Sequence, residues 1–401
     1  MATVVLVGTL DTKGEEYAWL RERVRELGCD VVLVDAGVGP SEVEADVSAE
    51  EVARAGGTSL QELRDAGDRG AAVTAMGEGA AAVLAGLERV DAVLAVGGSG
   101  GSSVAARAVR DLPIGLPKLI VSTMASGDVA PYVGARDVTL TYSVVDIAGV
   151  NRVSRLILGN AAAAAAGMAK AYAQARSAPA ADERPLVGAS MFGVTTPAVD
   201  AARQRLDELG YEVLVFHATG AGGRALEGLV ESGLLAGVLD LTTTELADDL
   251  VGGVLSAGPG RLTAAGRHGV PQVVAPGALD MVNFGPRETV PERFEGRDLY
   301  VHNPTVTLMR TTREEMAELG RRIAGKLGAA TGPTALFVPL GGVSALDAPG
   351  MPFHDPAADE ACFAAMEGAV ETERLDMNIN DPVFGRAMAD RLHQMISGGS
   401  Q

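Results

Sequence analysis

Residues 3–28 read TVVLVGTLDTKGEEYAWLRERVRELG. The run Thr3–Gly8 is continuously apolar and rich in β-branched residues, which is typical of a strand buried on both faces of a parallel sheet. Glu15–Leu27 has apolar residues at helical spacing, and Gly28 follows as a left-handed cap. A second strand is predicted at Asp30–Val34. The opening stretch therefore predicts a strand–loop–helix–strand unit of a parallel α/β domain.

The same alternation continues to about residue 178. Because alternating strands and helices at this spacing form βαβ crossovers, we expect a doubly wound parallel sheet in a domain over residues 1–178. Its further predicted strands are Asp91–Val96, Pro117–Ser122 and Asp137–Ser143, and its further helices lie over about 48–88 and 150–175.

The second half repeats the opening order after a polar linker at Arg176–Pro185. The alternative is that any two βαβ units look alike. We expect a second domain over residues 185–401 and interpret the fold class as α/β, with two Rossmann-like domains and a cleft between them. The repeated elements are strand Leu186–Ser190, helix Pro197–Leu209, cap Gly210, strand Glu212–Phe216 and strand Gly237–Leu241.

Charge and cysteine content exclude several protein classes. The 401 residues carry 33 Lys+Arg against 52 Asp+Glu, a net charge of −19. This balance excludes a sequence-independent nucleic-acid binder and disfavours anionic membranes. Cys29 and Cys362 form neither a disulfide framework nor a CxxC knuckle. Without a leader pattern or an apolar run of membrane-spanning length, the chain is expected to be cytoplasmic.

A glycine- and serine-rich segment follows the predicted strand Asp91–Val96. Successive N–H groups in such a segment can cradle a phosphate, and the helix predicted from Val104 adds partial positive charge. The spacing matches neither a P-loop nor GxGxxG. The alternative is a tight turn without a ligand. The predicted phosphate-binding residues are Gly97, Gly98, Ser99, Gly100, Gly101, Ser102 and Ser103.

Polar residues after the first two strands lie at the same predicted edge of the sheet. After the first strand, Thr9 and Thr12 flank Asp11, which could hold Mg²⁺, and Lys13 could reach a phosphate. The alternative is that Asp11 or Thr12 only starts a helix, with a capping box from Thr12 to the glutamate three residues later. Asp35 ends the second strand, where an acid could bind ribose hydroxyls, although such a residue can also be a simple turn residue.

The second half holds all five histidines and most other candidates for chemistry. Acid–base chemistry by a histidine, with an arginine holding a carboxylate or phosphate, is one interpretation. A metal site of two histidines and a carboxylate, drawn from His217, His302, His354 and Asp240 or Asp280, is a second interpretation, although no HxxxH or HxH spacing supports it. Structural histidines are the third alternative. The candidate catalytic residues are His217, Asp280, His302, Arg310 and His354, and whether a metal binds is left open.

Several long motifs resemble the Tm-one-like ATP-binding family. They are GTLDTKGEE at 8–16, AVGGSGGSS at 95–103, PGALDMVNFG at 276–285, HNPTVTLMRTTREE at 302–315, PLGGVSALDAPGMPFHDP at 339–356 and NINDPVFG at 378–385. The resemblance covers nearly the whole chain. It implies two Rossmann-like domains, ATP binding by the first, and a homodimer, whereas the virus inhibition known in the plant lineage is not transferred.

Two functional hypotheses remain. The first is an ATP-binding enzyme, with Mg²⁺ as a further cofactor, that acts on a small polar metabolite such as a sugar acid. The second is a non-catalytic nucleotide-binding regulator. A periplasmic-type solute-binding protein would need export, for which the sequence shows no signal. The expected partners are a nucleotide, an unidentified small molecule and a second copy of the chain, with neither nucleic acid nor membrane.

Overall fold

The computed structural model describes residues 1–177 and 183–398, which fall into two compact α/β units on either side of residues 178–182. Half of the predicted linker Arg176–Pro185, residues 178–182, lies outside the described residues. The first unit has strands β1 (Thr3–Gly8), β2 (Asp30–Asp35), β3 (Ala92–Gly97), β4 (Lys118–Ser122) and β5 (Val138–Tyr142). Its helices are α1 (Leu10–Glu26), α2 (Ala49–Ala55), α3 (Leu60–Ala66), α4 (Arg69–Gly86), α5 (Ser99–Val109), α6 (Ala130–Val133) and α7 (Arg152–Ser177).

The first sheet is parallel throughout, with the strand order β2-β1-β3-β4-β5. Strands β1, β3 and β4 are completely buried because helices cover both faces. One apolar core lies under α2–α5, and the other lies under α1 and α7. The predicted doubly wound fold is confirmed.

The strand order reverses between β1 and β3, and Tyr17 occupies the point where they separate. Their pairing ends at Val7 and Ala95. The Tyr17 hydroxyl lies 2.6 Å from the Val7 carbonyl oxygen and accepts the Val96 N–H at 2.7 Å. Gly8 makes room, since a side chain there would lie about 2.0 Å from the tyrosine ring. The side chain thus stands beneath the crevice that a reversal of strand order creates.

Both helices next to this crevice begin earlier than the sequence predicts. Helix α1 begins at Leu10 rather than Glu15, and α5 begins at Ser99 rather than Val104. Thr9 is the N-terminal cap of α1, and its own side chain makes no capping hydrogen bond to the helix, so the predicted capping box from Thr12 is wrong. The glycine- and serine-rich segment therefore forms the first turn of α5 instead of a separate loop.

The second unit contains a larger parallel sheet of order β14-β13-β9-β8-β6-β7 and a small antiparallel sheet of order β10-β12-β11. Its parallel strands are β6 (Leu186–Met191), β7 (Glu212–His217), β8 (Gly237–Thr242), β9 (Gln272–Gly277), β13 (Thr334–Pro339) and β14 (Glu371–Leu375), and the small sheet comprises β10 (Met281–Phe284), β11 (Leu299–Asn303) and β12 (Val306–Arg310). The helices are α8 (Thr196–Glu208), α9 (Ala221–Glu231), α10 (Glu245–Val251), α11 (Ala264–His268), α12 (Arg313–Gly328), α13 (Pro356–Met366) and α14 (Pro382–Gly398).

The two units share their central topology. The first four parallel strands of each unit take the same spatial order, with the reversal between the first and the third strand. This agreement supports the interpretation that one βαβ unit was used twice. Among the described residues, no helix is long and apolar enough to cross a membrane.

Candidate functional site

A cavity of about 580 Å³ opens at the strand-order reversal of the first sheet. This is the position at which open parallel sheets bind ligands, and the volume is that of a small-molecule site. Its polar walls come from the segment after β1, the first turn of α5 and the corner between α3 and α4. The remaining wall is apolar and consists of Ala36, Val38, Leu63, Ala72, Val73, Met76 and Val104.

The glycines of the predicted phosphate-binding segment have two different roles. A side chain at Gly97 would lie about 2.9 Å from the Cα of Gly101, so Gly97 serves the close packing of β3 against α5 and does not line the cavity. Gly98, Gly100 and Gly101 do line it, and a Cβ at any of them would make only ordinary contacts. Three of the four predicted glycines thus face a potential ligand.

The first turn of α5 presents backbone donors to the cavity. The N–H groups of Ser99, Gly100 and Gly101 come before the first N–H that donates within the helix, that of Ser102 to the Gly98 carbonyl oxygen, and no side chain of the described residues caps this end. Ser102 is buried, with its hydroxyl 2.6 Å from the Ser122 hydroxyl, and Ser103 donates to the carbonyl oxygen of Ser99. These two serines hold the helix in place and lie outside the cavity lining.

The segment after β1 forms the opposite wall, with Thr9, Thr12 and Lys13 in the lining. The two threonine hydroxyls lie 2.9 Å apart. Lys13 has non-helical backbone angles inside α1, and its ammonium group donates to the carbonyl oxygen of Ile147. Because an ammonium group has three donors, this bond leaves Lys13 able to contact an anion.

The two predicted acidic residues of the first domain differ in their environment. Asp11 lines the cavity, and its Oδ2 accepts the N–H groups of Val38 and Gly39 at 3.2 and 2.8 Å. Its Oδ1 is buried and has no hydrogen-bond partner among the described residues. Asp35 lies outside the lining, and its Oδ1 accepts the N–H groups of Leu10 and Gly37. Burial raises the pKa of Asp35, which acts here as a turn residue.

Sequence reasoning missed two arginines of this cavity, Arg64 at the end of α3 and Arg69 at the start of α4. The Nε of Arg64 donates to the carbonyl oxygen of Val38 at 2.6 Å. The Nη2 of Arg69 lies 3.5 Å from the position that a Cβ on Gly100 would take. No sequence motif marks either residue, because only the α3–α4 corner brings them to α5.

In the second domain, the histidines surround one aromatic cluster at the carboxyl edge of the sheet. Phe192, Tyr300 and Phe353 belong to the same apolar cluster. The ring of His217 lies 5.3 Å from that of Phe192, and the ring of His302 lies 6.5 Å from that of Tyr300. Both histidines are exposed, and His354 directly follows Phe353. The fold therefore brings these three predicted residues to the border of one cluster.

Arg310 and Asp280 lie deeper, in a group of buried charges. Arg310 pairs with Asp359 at 2.8 Å and with Asp347 at 3.7 Å, and Asp280 accepts the Ser344 hydroxyl at 2.7 Å. Burial is the largest cause that raises the pKa of Asp280 to about 7 and that of Asp359 to about 8, followed in each case by the charge of Asp347. Sequence reasoning had not singled out Asp347 or Asp359.

His354 approaches this charged group, with its Nδ1 3.9 Å from Asp347 Oδ1. Asp280 is fully buried, and its Oδ1 has no hydrogen-bond partner in the described part of the chain. Arg310 is only 6% exposed and also donates to the carbonyl oxygen of Phe353. These contacts hold the loop after β13 and helix α13 against β12.

The second sheet has its own strand-order reversal, but internal charges fill it. Glu245 Oε1 accepts the N–H groups of Gly220 and Gly223 at the start of α9. The fully buried Arg261 pairs with Glu245 and with both carboxylate oxygens of Asp240. An internal carboxylate thus takes the position at a helix start where an anionic ligand could bind. Within residues 1–177 and 183–398, no group of three or more His, Cys, Asp or Glu could hold a metal ion.

Comparison with known proteins covers both units. Two models of an uncharacterised protein family, UPF0261, match the chain. The model of its N-terminal domain matches residues 2–174, and the model of its C-terminal domain matches residues 184–396. A UPF0261 protein of Clostridium tetani is 50% identical, with 98% of each chain covered. One of Rhizobium meliloti is also 50% identical, over 96% of this chain and 97% of that protein. The ToMV resistance protein Tm-1(GCR237) of Solanum lycopersicum is 40% identical over 96% of this chain and 55% of its own length.

Proposed function

We propose a function from the premise that the chain belongs to the UPF0261 family over both of its domains. The N-terminal domain binds a nucleotide, ATP, in the cavity at the strand-order reversal between β1 and β3. The observation that carries the proposal is the cavity itself, which joins uncapped helix N–H groups to an apolar wall at the strand-order reversal. A phosphate suits the helix start, and a base suits the apolar wall.

The charges around the cavity support an anionic ligand that carries Mg²⁺. Lys13, Arg64 and Arg69 line the cavity in a protein whose net charge is −19. Asp11 Oδ1 is a buried carboxylate oxygen without a partner among the described residues, and carboxylate oxygens are ligands that Mg²⁺ prefers. The metal would neutralise part of the phosphate charge beside Asp11.

Isothermal titration of ATP into Gly100→Val tests the proposal. The new Cβ would lie 3.5 Å or more from its neighbours, so the fold has room for it, whereas the two γ-methyl groups extend into the cavity. We expect the melting temperature to change little and ATP binding to be lost. Gly86→Val is the control, because Gly86 lies near the end of α4 in open space. ATP binding that is unchanged in Gly100→Val would overturn the proposal.

For the second domain, we propose an enzymatic role on a small polar metabolite such as a sugar acid, carried by His302 and His354 at the border of the aromatic cluster. The burial of Asp280 and Arg310 removes them from contact with a substrate and favours a second candidate, a nucleotide-binding regulator. The proposal also includes a homodimer and, because ATP is the ligand, a cytoplasmic location.

A further inference from the structure

Five charged side chains line the cavity of the first domain, and four of them already bond to the main chain. Lys13 and Arg64 donate to carbonyl oxygens, and Asp11 accepts two N–H groups of the loop after β2. Asp68 caps α4 by accepting the N–H groups of its first turn. Across residues 1–177 and 183–398, Arg69 makes neither a hydrogen bond nor an ion pair, so its guanidinium group is available to a ligand.

Arg69 and the segment after β1 approach different residues of the first turn of α5. A Cβ on Gly100 would lie 3.5 Å from Arg69 Nη2, whereas one on Gly101 would lie 3.9 Å from the hydroxyl of Thr9. Lys13 belongs to the Thr9 side of the cavity. Arg69 therefore lies beside the first turn of α5, and Lys13 is a second cation in the lining of the same cavity. A single phosphate fits between the N–H groups and one cation, but a chain of phosphates can reach both.

We propose that Arg69 binds the outer phosphates of the nucleotide and makes the cavity selective for ligands with two or more phosphates. The inference rests on the proposed nucleotide binding and adds to it the residue that distinguishes ATP from AMP. The planar guanidinium fork is suited to two phosphate oxygens at once, which an ammonium group is not. The loss of one such charge-assisted contact weakens binding by roughly 10-fold to 100-fold.

The experiment compares ATP, ADP and AMP by isothermal titration in the wild type, Arg69→Ala, Arg69→Lys and Arg110→Ala. Arg110 is the matched control, because it is an exposed arginine at the opposite end of α5. We expect Arg69→Ala to lose roughly 10-fold to 100-fold in ATP affinity and little in AMP affinity. Arg69→Lys should recover part of the loss, and Arg110→Ala should behave as the wild type. A thermal melt checks each fold.

The outcomes separate the two proposals. If the wild type binds none of the three nucleotides, the proposed function fails, and this inference fails with it. If the wild type binds ATP and Arg69→Ala binds it equally well, the nucleotide site stands and the role of Arg69 is overturned. If Arg69→Ala loses as much affinity for AMP as for ATP, Arg69 contacts a part of the nucleotide that both ligands share. That result would also contradict the proposed selectivity for ligands with two or more phosphates.

Discussion

The hydroxyl of Tyr17 accepts the main-chain N–H of Val96 at 2.7 Å, at the point where β1 and β3 cease to pair. Beyond that point the two strands lead to two of the polar walls of the cavity in the first domain. Tyr17 is completely buried, and burial raises the pKa of its hydroxyl well above the usual value. The side chain therefore remains neutral and closes the end of the strand pair.

We predict that Tyr17→Phe lowers the free energy of unfolding by about 1–3 kcal/mol, because the buried Val96 N–H loses its acceptor while the ring still fills the space. Urea unfolding followed by circular dichroism measures the change. Tyr142→Phe is the control, since that tyrosine is 44% exposed at the end of the edge strand β5. Equal stability of the two variants would contradict the role of the hydroxyl.

The buried carboxyls near Arg310 predict a pH dependence of stability. The pKa is about 8 for Asp359 and about 7 for Asp280 in the fold, against about 4 in an unfolded chain. Because the folded state binds more protons between these values, this stabilisation is complete below pH 4 and is lost as the pH rises through about 8. Arg310 pairs with Asp359, and His354 lies near Asp347, so both residues belong to the same cluster of charges.

Urea midpoints at pH 5.5, 7 and 8.5 test this pH dependence. We expect the wild type to lose stability toward pH 8.5, and Asp359→Asn to lose less, because its amide does not titrate. Asp376→Asn, at an exposed position after β14, is the control for a general charge effect. A slope of equal steepness in Asp359→Asn and the wild type would show that Asp359 does not bind the proton.

The homodimer stays a prediction, and the structure limits which surface of the first domain could form it. The alanine-rich face of α7 is buried against its own domain through Ala161, Ala165 and Ala169, so it is not available to a second copy. The first turns of α7 instead expose Val153 and Leu156. Light scattering at micromolar concentration should give twice 40.9 kDa, and Leu156→Glu should reduce it. A monomeric wild type would contradict the prediction.

The strands β1–β8 were predictable, most of them from continuous apolar runs, whereas the starts of α1 and α5 were not. Gly, Ser and Thr are weak helix formers, so propensity alone places the beginnings of α1 and α5 too late. The sequence also gave no sign that β10, β11 and β12 form a separate antiparallel sheet, since short apolar runs do not reveal their partners.

The residues of the candidate sites also differed in how far the sequence could predict them. The residues around Gly100 were recognisable because one continuous segment carries them. Arg69 was not, because its approach to Gly100 depends on the corner between α3 and α4. The charges around Arg310 come from segments far apart in sequence, and their burial is a property of the packed domain.

The last prediction decides between enzyme and regulator. His302 and His354 are exposed at the border of the aromatic cluster, where a substrate could reach them, and His354 Nδ1 lies 3.9 Å from Asp347 Oδ1. If they carry the chemistry, His302→Ala and His354→Ala should bind ATP as the wild type does and lose metabolite-dependent turnover in a screen of sugar acids. His268→Ala, an exposed histidine at the end of α11, should retain turnover. If ATP hydrolysis is equally slow with every metabolite and in every variant, the protein is a regulator.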